Sequence, residues 1–221
     1  MNPVVRQLVR KDVRLNLPLM ILMTGAGLLA LLLMFTGRIG FAVGGIVFIT
    51  ANIAGGIFIG MFCIVQERKD QSSLFALSLP VTVREFGAVK LLAALMIFGV
   101  PWLLLTLASC TLTLLLQRVA DGLVVYTLLV QGCILAITVA YFTIISINRS
   151  EAVAGFGILI LNMCFSLFMV LVNQPWVKDP ISTGRIVWPG YALLMLGTQV
   201  LLAVGSLVVA ALVLSRRREY V

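Results

Sequence analysis

Long apolar runs separated by short polar punctuation make up this chain, and the length of the runs decides what they are. Crossing a hydrocarbon layer of roughly 30 Å takes about 20 apolar residues in a helix. Six runs meet that requirement: Leu17–Phe35, Phe41–Val65, Leu91–Leu116, Gly122–Ile147, Ala152–Val172 and Pro189–Leu214. The pattern predicts an all-α, polytopic membrane protein with six transmembrane helices. Two runs exceed a straight crossing, and tilt or kinks absorb the surplus. The connections Thr36–Gly40, Gln117–Asp121 and Asn148–Glu151 are short, so the spans they join are antiparallel neighbours. An N-terminal segment, 1–16, thus precedes a six-span domain, 17–221, with polar loops at 66–90 and 173–188.

The N-terminal segment alternates apolar and basic residues at helical spacing. Val5, Leu8, Val9 and Val13, with Asp12 beside them, stand against Arg6, Arg10, Lys11 and Arg14. Such a helix can lie in the interface, apolar side in the acyl chains and basic side toward anionic headgroups; the plainer alternative is a juxtamembrane basic anchor. The 173–188 segment carries Pro175, Trp176, Pro180, Gly184 and Trp188. Tryptophan at that level marks the membrane–water boundary, and an ordered loop with interfacial anchors is expected over a re-entrant or surface helix.

Composition agrees. The chain is 62% hydrophobic and 11% charged, against about 45–50% and about 25% for soluble domains. Little chain is left for a soluble domain. The first apolar run is too long for a signal-peptide core and lacks a small-residue cleavage site, so it reads as a retained span. Cys63, Cys110, Cys133 and Cys164 all fall inside predicted spans, where cysteine acts as a small hydrophobe, and they predict neither a disulfide framework nor a metal site.

The net charge of +8 is topological. With both termini on one side, that side holds Arg6, Arg10, Lys11, Arg14, Arg68, Lys69, Arg84, Lys90, Arg149, Arg216, Arg217 and Arg218. The other side has Arg38, Arg118, Lys178 and Arg185. The positive-inside rule then places both termini in the cytoplasm, and no nucleic-acid surface is needed to explain the basic excess.

The second span is rich in glycine. Gly40/Gly44 and Gly56/Gly60 are each four apart, which lets another helix backbone approach closely. Gly44, Gly56 and Gly60 are therefore candidate packing or dimer positions, against another span of this chain or a second copy. Pro101 predicts a kink in the third span.

Much chemistry is excluded. The chain has no histidine, which removes Ser–His dyads and HExxH zinc sites. Asp12, Asp70, Asp121 and Asp179 all lie at ends or in loops, so a paired-aspartate intramembrane protease has nothing to work with. The spans carry no buried ionisable group of the kind that ion-coupled carriers keep at mid-membrane. No lysine follows glycine as a nucleotide-binding P-loop requires. No catalytic residue, metal or cofactor is expected, and the energy for any uphill movement must come from another polypeptide.

The polar loop Gln66–Lys90 is therefore the most informative segment. Glu67, Arg68, Lys69 and Asp70 cluster where the second span ends. Ser72–Ser78 is a short apolar helix candidate containing Leu74, capped by Ser72 or Ser73. Pro80 ends it, and Val83–Lys90 restarts a helix that feeds the third span. Physically, this element either docks in a cleft of a soluble partner or floats on the headgroups.

The series Glu67-Arg68, Ser78-Leu79-Pro80-Val81, Arg84-Glu85 and Lys90 resembles the loop between the second and third spans of bacterial ABC type-two transporter permeases, with Val83 inserted between Thr82 and Arg84 relative to the tightest version of that pattern. The six spans, the N-terminal elbow helix and the length are similar to that family too. The resemblance implies a permease subunit of an ATP-driven exporter in the bacterial inner membrane, lacking its own ATPase. It implies a short cytoplasmic coupling helix in this loop, with Glu67, Arg68, Ser72, Leu74, Pro80, Arg84, Glu85 and Lys90 as candidate coupling residues. It also implies two cytoplasmic ABC ATPase subunits and a second permease copy, as a homodimer enclosing the pathway. The cargo stays open: peptides, lantibiotics or drugs are expected first, lipid-linked saccharides next. The rival readings are a membrane assembly or regulatory subunit that moves no cargo, and an ion-coupled carrier.

Overall fold

The computed structural model describes residues 3–66, 83–115, 120–148, 150–181 and 185–216. Every regular element among them is a helix. They are α1 (Pro3–Leu15), α2 (Leu17–Leu33), α3 (Arg38–Gly60), α4 (Val83–Leu115), α5 (Leu123–Ile147), α6 (Glu151–Val172), α7 (Pro175–Ile181) and α8 (Gly190–Arg216). The end of α3 continues into a π-helical turn, Met61–Gln66. Helices are what such a composition must form, because hydrocarbon offers no hydrogen-bond partner to an open backbone.

Five helical stretches are long and apolar enough to cross a membrane: Arg38–Gln66, Phe86–Leu115, Leu123–Ile147, Glu151–Val172 and Gly190–Arg216. A sixth appears only if Arg6–Leu15 and Leu17–Leu33, bent by 53° from each other, count as one span. At 17 residues, α2 alone is about 25 Å long. The chain is a multi-pass membrane protein on this basis.

The bend between α1 and α2 falls at Asn16, whose side chain donates to the Asp12 carbonyl at 2.9 Å. The turn from α2 to α3 passes through Gly37 at φ +120°, a backbone conformation that costs only glycine little. α4 runs as one helix through Pro101, so the proline does not break it. Where an ordered loop was expected after α6, the structure has α7. Pro175 opens it, as suits a first helical position, the Val177 and Lys178 amides both donate to the Gln174 carbonyl at 2.9 Å, and Val177 is fully buried.

The centre of the bundle is α5. It packs against α3, α4, α6 and α8, and Val125, Leu129, Ile134 and Phe142 are entirely buried. Phe98 of α4 meets Phe142 edge-on at 6.0 Å. A second cluster at the α7 end joins Val125 and Leu129 to Val172, Val177 and Ala192. A third, Ala30, Leu31, Phe48 and Leu105, ties α2 and α3 to α4.

The glycines of α3 fit this packing. A Cβ on Gly44 would lie 2.6 Å from the Ala30 carbonyl oxygen of α2, one on Gly56 would be 2.9 Å from Thr138, and one on Gly60 would be 2.6 Å from Tyr141. Of the two partners the sequence left open for these positions, the observed neighbours are helices of the same chain.

Candidate functional site

Five of the eight candidate coupling residues, Glu67, Arg68, Ser72, Leu74 and Pro80, lie outside the described residues, and with them the expected coupling helix. Arg84 and Glu85 fall in the first turn of α4. Lys90 is two turns further along, and its surroundings define a junction at the end of the bundle where α3 stops and α4 starts.

That junction is built from α1, α4 and α8. On α1, the apolar positions turn one side inward: Val9 and Asp12 are buried, Leu8 and Val13 partly so, while Arg6, Arg10, Lys11 and Arg14 are exposed. Asp12 therefore sits on the apolar side. Its carboxylate accepts from the Lys90 ammonium at 2.6 Å, and the two side chains are only 8% and 10% exposed. Lys90 Nζ also stands 5.4 Å from the centroid of the Phe86 ring, within the range of a cation–π contact. Phe86, Val89 and Leu91 around it are buried. Across α4, Gly87 faces α8 so closely that a Cβ there would be 3.0 Å from Leu214.

The energetics of this pair are those of a clamp. Taking two charges out of water is costly, and their attraction offsets that cost only while both are present. Removing Lys90 leaves the buried Asp12 carboxylate uncompensated, which costs about 3–5 kcal/mol. The pair holds α1 to the base of α4 across 78 residues of sequence. With Asp12 neutralised by Lys90, the remaining outward charge of α1 is wholly basic, which suits a surface of anionic headgroups. The charged termini also agree with the helix dipoles, with Arg14 and Arg216 in last turns and Glu151 in a first turn.

Next to this junction the π-helical turn Met61–Gln66 buries Cys63, Ile64 and Val65. Its contacts reach α4, α5 and α6. Such turns occur often at functional sites, because the extra residue per turn re-aims the chain. Here the turn is the last described part of α3 before the polar loop.

Asp12 belongs to the site without being among the sequence-based candidates. The signal was present: a carboxylate at helical spacing among Leu8, Val9 and Val13 faces inward unless the helix is wholly solvated, and an inward carboxylate needs a partner. Phe86 and Gly87 had no such signal, because only the tertiary fold brings α1 and α8 to them.

Further polar groups sit inside the bundle. The Trp102 indole donates to the Gln131 carbonyl at 3.0 Å, and the Gln199 amide donates to the Leu129 carbonyl at 2.9 Å. These bonds tie α4 and α8 to α5. The Gln131 side chain is 1% exposed and neither of its polar atoms has a partner. Among the described residues no three Cys, Asp or Glu side chains gather as a metal ion would need.

No family model, no curated protein and no solved structure matches this chain. The junction itself is thus the basis for a functional reading.

Proposed function

We propose that the chain is the membrane subunit of an ATP-driven exporter, with six spans, an interfacial elbow helix α1 and a cytoplasmic coupling helix within 66–90. The first span is then α2, entered from the elbow through the 53° bend at Asn16. Both termini lie in the cytoplasm of a bacterial cell, since the basic residues concentrate at that end of the bundle. Two copies form the pathway, and two separate ABC ATPase subunits deliver the work.

The observation that carries this reading is the clamped base of α4. One helix of 33 residues, about 50 Å long, runs from the polar loop through the bundle. Its base is gripped by α1 through Asp12–Lys90 and abuts α8 at Gly87. A displacement applied to the loop between α3 and α4 is therefore passed to three elements together rather than lost in a loose hinge. ATP binding in the partner would favour one of two membrane states, with cargo bound differently in each. Apolar outer faces and charge-poor spans suit a hydrophobic or amphipathic cargo.

The test is purification of the intact complex in mild detergent, followed by reconstitution. The expected result is co-purification of a soluble protein whose ATP hydrolysis drives export. Charge reversal at Glu67 or Arg84 should then separate hydrolysis from export while the complex still assembles. Recovery of the chain in a complex that neither hydrolyses ATP nor moves cargo would instead support the assembly-subunit reading. Transport without any ATPase subunit would support a carrier.

A further inference from the structure

Among the described residues the bundle buries its mid-span amides with one exception. Asn52, Gln131 and Gln199 are 0%, 1% and 8% exposed. Asn162, the twelfth residue of the 22 in α6, is exposed. Its Nδ2 donates to the Ile158 carbonyl one turn back at 2.9 Å, which leaves the second N–H and the side-chain oxygen facing outward. An amide at that depth meets no water, and it is too short to reach the headgroups. Leaving its remaining groups in hydrocarbon is unfavourable.

The surrounding face is shaped for close approach. At 100° per residue, Gly155 and Ser166 lie within about 40° of Asn162 around the helix. Both are exposed, and a Cβ on Gly155 would meet nothing within 4 Å. The far side of α6 is different, with exposed Phe156, Ile160, Leu167 and Leu171 offering only apolar surface to lipid. The small and polar positions of α6 thus gather on one side, bordered by exposed Leu159 and Val170.

We infer that the Gly155–Asn162–Ser166 face of α6 packs against the same face of a second copy of this chain. The choice of partner follows from symmetry. Two copies inserted with the same orientation are related by an axis along the membrane normal, so each residue finds its own copy at its own depth. An amide is both donor and acceptor, and Asn162 is thereby complementary to itself. A glycine and a serine beside it let the backbones come near enough for the bond to form. The inference rests on the homodimer of the proposed function and assigns its contact face.

The test uses full-length protein in membranes and an intrinsic control. Cys164 is also exposed but points about 160° away from Asn162. Ser166→Cys in a Cys164→Ser background, oxidised with copper phenanthroline, is expected to give a disulfide-linked dimer, whereas the native Cys164 is not. Asn162→Leu should lower the self-association constant about 3- to 10-fold, and Asn162→Gln should retain most of it. A dimeric particle that cross-links through Cys164 and not through residue 166 overturns this face while leaving the homodimer intact. Labelling of Ser166→Cys by a water-soluble maleimide without cross-linking also overturns it, since the face would then line an aqueous path. A monomeric particle in lipid nanodiscs overturns both this inference and the homodimer.

Discussion

α5 and α6 are consecutive, similar in length and equally apolar, yet they live in different surroundings. α5 is enclosed by four other long helices and buries residues around most of its circumference. α6 rests on the bundle along one narrow line, Ala154, Gly157, Leu161, Phe165 and Val172. Hydropathy measures only whether a side chain prefers hydrocarbon to water, and lipid tails are as apolar as a protein core. What separates the two helices is packing, and packing can be tested.

The largest contrast is expected from truncating an aromatic. Phe142→Ala on α5 removes a fully buried ring that touches Phe98, and should cost about 3–5 kcal/mol. Phe156→Ala on α6 removes a ring that is 68% exposed and should cost well under about 1 kcal/mol. Equilibrium unfolding in mixed micelles reads both, and equal losses would break the comparison.

Next in size is the charged junction, where enclosure matters for a different reason. Lys90→Ala, which strands the Asp12 carboxylate, should destabilise by about 3 kcal/mol, and Asp12→Ala by less. The double variant should recover most of that loss, so that a double-mutant cycle gives a large coupling energy. Additive losses would show that the two side chains act independently and that α1 is not held through them.

Glycine substitution comes third. Gly60→Ala places a methyl 2.6 Å from the Tyr141 ring, and overpacking of this kind costs about 1–3 kcal/mol. Gly155→Ala meets open space within one protomer, so the isolated protomer should keep its stability or gain a few tenths of a kcal/mol from better helix propensity. The smallest effect is expected at Gln131. Gln131→Leu replaces an amide whose polar atoms lack partners in the core of α5, and should be neutral or stabilising by up to about 1 kcal/mol. A loss of several kcal/mol there would show that the amide is engaged.

Much of this was legible in the residues. The apolar runs placed five of the long helices to within a few residues, and the restart of helix at Val83 was read from the Pro80 break. The first apolar run reads as a full span, whereas its helix α2 holds 17 residues and is bent by 53° from α1 at Asn16. Helical spacing in the first turns of the chain gave α1 an apolar and a basic side, and both are found. The 173–188 segment, with its tryptophans at the membrane–water boundary, reads as an ordered loop rather than a surface helix. Instead Pro175 starts a helix, and the burial of Val177 against Val125 and Leu129 keeps it.

The candidate site was legible only in outline. Lys90 was singled out beside the polar loop, but its partner Asp12 is 78 residues away, and no local pattern couples positions so far apart. The same holds for the glycines of α3. Their spacing announced close packing, and only the folded chain shows α2, α4 and α5 filling the space.

The sequence by itself determined that this protein is helical, membrane-embedded and uneven in its charge, because solvation of backbone and side chains depends on local composition. The tertiary structure alone decided which apolar faces meet protein and which are left exposed, that Asp12 closes on Lys90, and that Asn162 remains outside. Those outcomes depend on how helices of nearly equal hydropathy fit one another, and shape complementarity between distant segments is not written in the composition of either.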